Sequence, residues 1–229
     1  AAAHAAGAGE FLLISSDKAA APSCVMGASK RLAELYLHGF AAERRTPMRL
    51  AAVRFGNVMG SQGSVAPRFA DQIERGGPVT VTHPKMERFF LTMDEAVEHV
   101  LRVCALAPEH KTAAAFVMDM GEPISILRLA EEMIARAGSR AKIAITGIRP
   151  GEKLTEQWFD EREITSASAL PGVFLVKPHP RAGHVTSFDL GELEALARRA
   201  DCDAIRAGVF ACLEARLRMA APLRAAAHA

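Results

Sequence analysis

The sequence predicts an α/β protein, and two observations carry the prediction. Short apolar runs alternate along the chain with stretches of helical spacing. The first of those runs, Phe11–Ile14, passes directly into the polar and ionisable residues Ser15-Ser16-Asp17-Lys18. An open α/β sheet places its site at such a point, the carboxyl end of a strand.

The elements follow in order. Ala1–Glu10 reads as the end of a helix and its Gly-containing stop, so the chain is expected to begin in mid-fold. Phe11–Ile14 is a strand short and apolar enough to be buried. Pro22 punctuates a loop, and Gly27–Glu43 is a helix. Leu32, Leu35, Tyr36 and Phe40 keep helical spacing there, with Lys30, Arg31, Glu34, Glu43 and Arg44 on other faces. Met48–Phe55 is a second strand ending at Gly56-Asn57. After a loop at Gly60–Gly63, Pro67–Arg75 is a short helix with Pro in its first turn. Gly76-Gly77-Pro78 ends it, and Val79–Val81 is a strand. Asp94–Leu106 is a helix capped by Thr92. Ala115–Met118 is a strand; Ile126–Ala137 is a helix capped by Ser125 and stopped at Gly138. Ile143–Ile145 is a strand. Arg149-Pro150-Gly151-Glu152 is a turn before an amphipathic stretch to Phe159. Val173–Val176 is a further strand, Leu190–Arg199 and Cys202–Met219 are closing helices, and Ala220–Ala229 is a frayed tail.

The 229 residues suffice for one large domain or two small ones. Basic residues are scattered and the net charge is only +2, so nucleic acid or a membrane surface has no electrostatic support as a partner. Cys24, Cys104, Cys202 and Cys212 lie far apart and fit no metal spacing, so no metal is expected and the cysteines read as reduced. No apolar run approaches the ~18 residues of a transmembrane helix. No Gly-x-Gly-x-x-Gly turn follows a strand anywhere, and a dinucleotide fold needs such a turn to seat pyrophosphate on a helix N-terminus.

Four segments then carry a specific resemblance: LLISSDKAAAPSCVMGASKR, VRFGNVMGSQGSVAPRF, GGPVTVTHPKMERFFLTMDEAV and IRPGEKLTEQ. In this order they resemble the extended short-chain dehydrogenases that dehydrate nucleotide sugars, and especially the UDP-N-acetylglucosamine 4,6-dehydratase group of polysaccharide-biosynthesis proteins. The match spans Phe11 to Gln157. Met26 stands where the wider superfamily has the tyrosine of Tyr-x-x-x-Lys, as in that group's larger, membrane-anchored branch. The group's glycine-rich nucleotide segment is not found in this sequence.

The resemblance implies the C-terminal part of a doubly wound, Rossmann-like parallel sheet with a smaller substrate-binding lobe. Residues 1–60 are expected to belong to the dinucleotide-binding domain, with 89–120 returning to it. Residues 61–229 are expected to form mainly the substrate lobe and closing helices, the smaller lobe itself being Gly60–Arg88 and Glu122–Gln157 over the carboxyl ends of the parallel strands. Phe11–Ile14, Met48–Phe55 and Ala115–Met118 should be parallel, and the sheet should end in an exposed apolar edge.

The implied reaction removes water from C5–C6 of a UDP-linked hexose by way of a 4-keto sugar, with NAD or NADP as cofactor. Without the glycine-rich segment this chain alone is expected to be inactive. By the same resemblance Asp17 delivers a proton to the C6 hydroxyl and Lys18 removes the C5 proton. Lys30 holds the nicotinamide ribose, Met26 lines the cofactor pocket, Ser16 hydrogen-bonds the C4 oxygen, and either Asp17 or a water held by Ser16 takes the C4 hydroxyl proton. Asn57 contacts substrate near the diphosphate, Arg88 and Arg149 clamp the diphosphate, and Glu152 accepts from a ribose hydroxyl. The plain alternatives are a solvated strand-end turn for Asp17-Lys18, local backbone bonding for Ser16, and surface positions for the arginines. Two other functions stay open: a nucleotide-sugar epimerase, and a non-catalytic sugar-nucleotide-binding remnant. Self-pairing is expected through the 27–43 helix, with Leu37, Phe40 and Ala41 as its outer stripe. The expected compartment is the cytoplasm, or the inner membrane if the chain is part of a longer anchored polypeptide.

Overall fold

The computed structural model describes residues 1–44, 47–61, 63–106, 113–179, 182–183, 185, 187–198 and 201–218. In chain order the elements are α1 (Ala2–Ala5), β1 (Glu10–Ile14), a 3-10 turn (Asp17–Ala19), α2 (Val25–Arg44), β2 (Arg49–Arg54), β3 (Asn57–Val58), α3 (Val65–Glu74), β4 (Val79–Val81), β5 (Glu87–Arg88), β6 (Phe90–Leu91), α4 (Met93–Leu106), β7 (Ala114–Met118), β8 (Ile124–Ser125), α5 (Ile126–Arg136), β9 (Ile143–Ile145), β10 (Glu163–Ala167), β11 (Val173–Pro178), α6 (Ser187–Ala197) and α7 (Cys202–Leu217). The tail 219–229 lies outside the described residues.

The chain forms two compact units. The first comprises Ala1–Arg54, His99–Asp119 and the chain from Gln157 onward; the second comprises Phe55–Glu98 and Met120–Glu156. The first is built on a five-stranded sheet ordered β1-β2-β7-β11-β10. β1, β2 and β7 run parallel, in registers that pair Leu12 with Ala51 and Val53 with Phe116. This is the arrangement the three apolar runs predict. β1 is the sheet's edge, and Phe11 and Ile14 on it are exposed. The expected apolar edge is present, but the burial expected of Phe11–Ile14 is not: β1 pairs on one side only, and none of its residues is buried.

Two further features differ from the sequence reading. β11 pairs antiparallel with β7, and β10, not anticipated, pairs antiparallel with β11. The chain from Gln157 onward belongs to the sheet unit, and the second unit spans the Gly60–Arg88 and Glu122–Gln157 segments expected to form the smaller lobe to within one residue. The first crossing falls at Arg54 rather than residue 60, because Asn57 N–H donates to the Phe89 carbonyl at 2.9 Å and β3 pairs with β6 inside the second unit. The return falls inside α4, at His99.

α2 is buried on two faces by its own chain. Leu37 and Phe40 pack with Met48, Leu50, Ala52, Ala115, Val117 and Val176, with Ala41 against the same cluster. Ala28, Leu32 and Leu35 instead meet Val209, Leu213 and Leu217 of α7. The stripe expected to pair two copies thus faces the core, because residues 37, 40 and 41 follow the sheet side of a helix turning 3.6 residues per turn. The second unit has its own core: Phe69 of α3, Val79 and Val81 of β4, Met86, and Ile126 and Ala130 of α5. The predicted caps form there. Ser125 accepts from Arg128 N–H at 3.3 Å, and Thr92 and Glu95 cap each other reciprocally at the start of α4.

Candidate active site

The site in the first unit begins where β1 ends. Ser15 N–H donates to the Val53 carbonyl at 2.7 Å and completes the parallel ladder. Ser16, still extended, then caps the turn Asp17–Ala19. Its hydroxyl donates to Asp17 Oδ1 at 2.8 Å and accepts from Lys18 N–H at 3.3 Å. Asp17 Oδ1 also accepts from Lys18 N–H at 2.8 Å and from Lys18 Nζ at 2.9 Å. The carboxylate is 1% exposed and the lysine side chain 22%. Asp17 Oδ2 is buried with no hydrogen-bond partner among the described residues. A buried, single-sided carboxylate is costly unless something uses its second oxygen.

The first turns of α2 close on this turn. Gly27 is buried, and a Cβ there would lie 2.4 Å from the Lys18 carbonyl oxygen, so only glycine admits the approach. Lys30, one turn on, donates from Nζ to the Ile14 carbonyl at 3.0 Å. Met26 stands exposed on the same first turn. Ser16, Asp17, Lys18, Met26 and Lys30 are thus gathered at the β1–α2 junction. Ser16 makes the local bonds of the plainer reading.

The other candidate residues lie in the second unit. Asn57 is half-buried on β3. Arg88 is nearly enclosed, and its guanidinium donates to the carbonyls of Glu87, Lys153 and Leu154 at 2.6, 2.9 and 3.0 Å. It also reaches Glu152 at 3.5 Å. Glu152 accepts from Arg149 N–H at 3.1 Å, and the Arg149 side chain is exposed. Arg88 therefore braces the 149–154 turn, which leaves Arg149 as the exposed cation of the two.

One cluster escaped the sequence reading. Arg31 and Glu34, assigned there to faces of α2 away from its apolar residues, are buried with Arg54 and Glu163. Arg54 Nε donates to Glu34 at 2.8 Å, Arg54 Nη2 to Glu163 at 2.7 Å, and Arg31 Nη1 to both carboxylates. Burial alone would raise the Glu34 carboxyl. The Arg54 charge and hydrogen bonds, with help from Arg31 and the Ser15 hydroxyl, outweigh it and hold the pKa at about 2. The available signal was Arg54 itself, a charge ending the otherwise apolar run Leu50–Val53. Among the described residues no group of three or more His, Cys, Asp or Glu could hold a metal ion. None of their helices is long and apolar enough to cross a membrane.

A core of parallel strands β1, β2 and β7 with polar groups where β1 ends is the arrangement of a Rossmann-type α/β protein, here with two antiparallel strands added beside β7. Solved structures agree. Pen from Bacillus thuringiensis superposes with a TM-score of 0.69 at 31% identity, covering 80% of this chain and 56% of that one. MoeE5, solved in complex with UDP-glucose and NAD, shares the fold with a TM-score of 0.56 at 21% identity, covering 69% of this chain and 58% of that one. The chain belongs to the polysaccharide biosynthesis protein family, whose model matches residues 1–178. It is 47% identical over 179 residues to the probable polysaccharide biosynthesis protein EpsC of Bacillus subtilis, covering 77% of this chain. A UDP-glucose 4-epimerase of Rickettsia canadensis is 35% identical over 164 residues, or 70% of this chain. The chain spans 29% of the length of EpsC and 46% of that epimerase.

Proposed function

We propose that this chain carries the acid/base and substrate-binding residues of an NAD(P)-dependent 4,6-dehydratase acting on UDP-N-acetylglucosamine. The observation that supports it most is the Asp17–Lys18 pair, in contact at 2.9 Å at the end of β1. Such a pair shares one proton. Its shift from Nζ to Oδ1 turns an ion pair into an amine and a carboxylic acid, the base and acid that the elimination needs.

What a bound nicotinamide supplies is reversible storage of one hydride, taken from C4 and given to C6. The residues here suit it: Lys30 spends one of three donors on Ile14 and has others for ribose hydroxyls, and Met26 offers an exposed apolar wall beside it. Ser16, through a water, passes the C4 hydroxyl proton to solvent. Lys18 takes the C5 proton, made acidic by the C4 ketone, while Asp17 gives its proton to the departing C6 hydroxyl. Lys18 would then return its proton to C5, and one solvent proton would restore the Asp17–Lys18 pair. Arg149 holds the diphosphate by a planar fork, with Asn57 alongside, and Glu152 accepts from the ribose. Arg88 supports that turn from below.

The test is turnover of UDP-N-acetylglucosamine in D2O, followed by mass spectrometry. The expected product has lost water and gained deuterium at C5, and Lys18→Ala abolishes both changes. Full exchange at C5 in the Lys18 variant removes Lys18 as the base. Arg149→Ala should leave exchange in place but weaken substrate binding by about 2 kcal/mol. The likeness to the rickettsial UDP-glucose 4-epimerase supports a second reading, epimerisation at C4. That reaction would return an isomer of unchanged mass with no deuterium at C5.

A further inference from the structure

One face of α2 runs along residues 14–18 and touches them at three points. Gly27 abuts the Lys18 carbonyl, Lys30 holds the Ile14 carbonyl, and Glu34 accepts from the Ser15 hydroxyl at 2.6 Å. Positions 27, 30 and 34 share one helix face by their spacing of three and four. Glu34 is itself fixed from behind. Arg54 Nε reaches its Oε1 at 2.8 Å, and Arg31 Nη1 reaches its Oε2 at 3.1 Å. Both arginines are held in turn by Glu163 at the start of β10. Glu163 also accepts from Asp160 N–H at 2.9 Å. The four charged side chains are at most 3% exposed, and their charges balance.

Stability does not explain this cluster. Well-packed apolar side chains in place of a buried ionic group commonly hold a fold as well or better. What charges add is direction. The Arg54 fork holds both oxygens of Glu34. Arg31 adds one contact through Nη1, while its Nε and Nη2 have no hydrogen-bond partner among the described residues. Glu34 fixes the hydroxyl next to the turn. A turn fixed in this way keeps its groups in place when a reaction needs them.

We propose that Glu34, which holds the Ser15 hydroxyl directly, and Glu163, which acts on Glu34 through Arg31 and Arg54, are positioning residues that hold the Ser15–Lys18 turn and so set the environment of Lys18. Glu163 is 145 positions from Lys18 in the sequence, on a strand that reaches the site only because the chain returns antiparallel to the sheet. The consequence for turnover rests on the dehydratase reading; the consequence for Lys18 does not.

The experiment therefore reads Lys18 directly. The full chain is trace-labelled with acetic anhydride across a pH series, and each lysine is followed by peptide mass spectrometry. Glu163→Gln keeps the shape of the side chain and removes its charge. It should move the Lys18 labelling profile and leave those of Lys85, Lys142 and Lys153 in the second unit unchanged. In the active polypeptide, turnover should fall by about tenfold to a hundredfold with KM little changed. Leu213→Ala, a core truncation on α7, should lower the melting temperature and leave the Lys18 profile where it was. If Glu163→Gln does not fold, Ser15→Ala asks the same question without stranding a buried charge. A Lys18 profile that stays put in a destabilised Glu163→Gln or Ser15→Ala protein overturns the proposal and makes the cluster purely structural. If no form dehydrates the sugar while the Lys18 profile still moves, the dehydratase reading fails and the positioning role stands.

Discussion

Arg54 and Glu163 meet at 2.7 Å, and so do Arg75 and Asp71. The first pair is fully buried at the strand ends of the sheet unit. The second lies at the end of α3 in the other unit, with its side chains 75% and 51% exposed. Identical chemistry and distance therefore serve different ends. Around the surface pair, water competes for both charges and salt screens them, so the contact is nearly free to make or lose. Around the buried pair every charge has lost its water, and each depends on the others to stay ionised. Distance alone says little about an ion pair; the partners left behind when one member goes say much more.

Arg54→Met tests this most severely. It leaves Glu34 and Glu163 with Arg31 alone, a net negative charge in a dry site. The expected loss is about 3–5 kcal/mol of unfolding free energy, measured by urea titration. Removing Glu34 and Glu163 together with both arginines, in favour of apolar side chains of similar volume, should recover most of it. A recovered fold with a displaced Lys18 labelling profile would separate stability from positioning. A single substitution costing under about 1 kcal/mol would mean that water reaches the cluster, and the contrast with Arg75–Asp71 would collapse.

The same contrast shows what was legible in the sequence. Apolar runs and helical spacing carry their own period, so β1, β2, β7 and the helices α2 to α5 could be read directly. The Asp17–Lys18 turn was legible because it ends a strand; the close approach of Gly27, inside α2, to the Lys18 carbonyl was not, because it depends on how the helix packs on that turn. β10 was not legible: its residues Glu163–Ala167 are mostly exposed and polar, so no apolar alternation marks them. Nor was the ionic cluster, since Arg31 and Glu34 in a helix usually mean a solvated face. Their burial comes from partners far along the chain: Arg54 leaves a trace as the charge ending the apolar run Leu50–Val53, but the local pattern carries none of Glu163. Arg88 shows a related limit of residue type as a signal. An arginine suited to phosphate is equally suited to the three carbonyls it meets here.

Acid sharpens the comparison next. Glu34 has its pKa lowered from 4.5 to about 2, so the unfolded chain takes up this proton before the folded one does. Its contribution is complete above about pH 4.5 and is lost as pH falls toward 2; a shift of that size corresponds to about 3 kcal/mol. His99 adds an earlier step. Burial lowers its pKa from 6.5, against the Phe116 backbone and with the Arg102 charge. The unfolded state again binds the proton first, so stability begins to fall as pH drops through 6.5. Unfolding free energy against pH should show both declines, and His99→Leu should remove only the upper one. A curve that is flat from pH 7 to pH 3 would contradict the burial of both groups.

The smallest effect is the most direct check on the surface half of the comparison. Asp71 precedes Arg75 by four residues, the favourable order on a helix whose C-terminal end attracts cations. Even so, Arg75→Ala should cost no more than ~0.3–0.5 kcal/mol, and that difference should shrink as salt is raised toward 1 M. Repeating Arg54→Met in the same salt series supplies the contrast, because ions cannot enter a site from which water is excluded. The loss there should stay nearly constant. If both losses faded together with salt, the strand-end cluster would be open to solvent, and its claim to hold the Lys18 turn in one place would go with it.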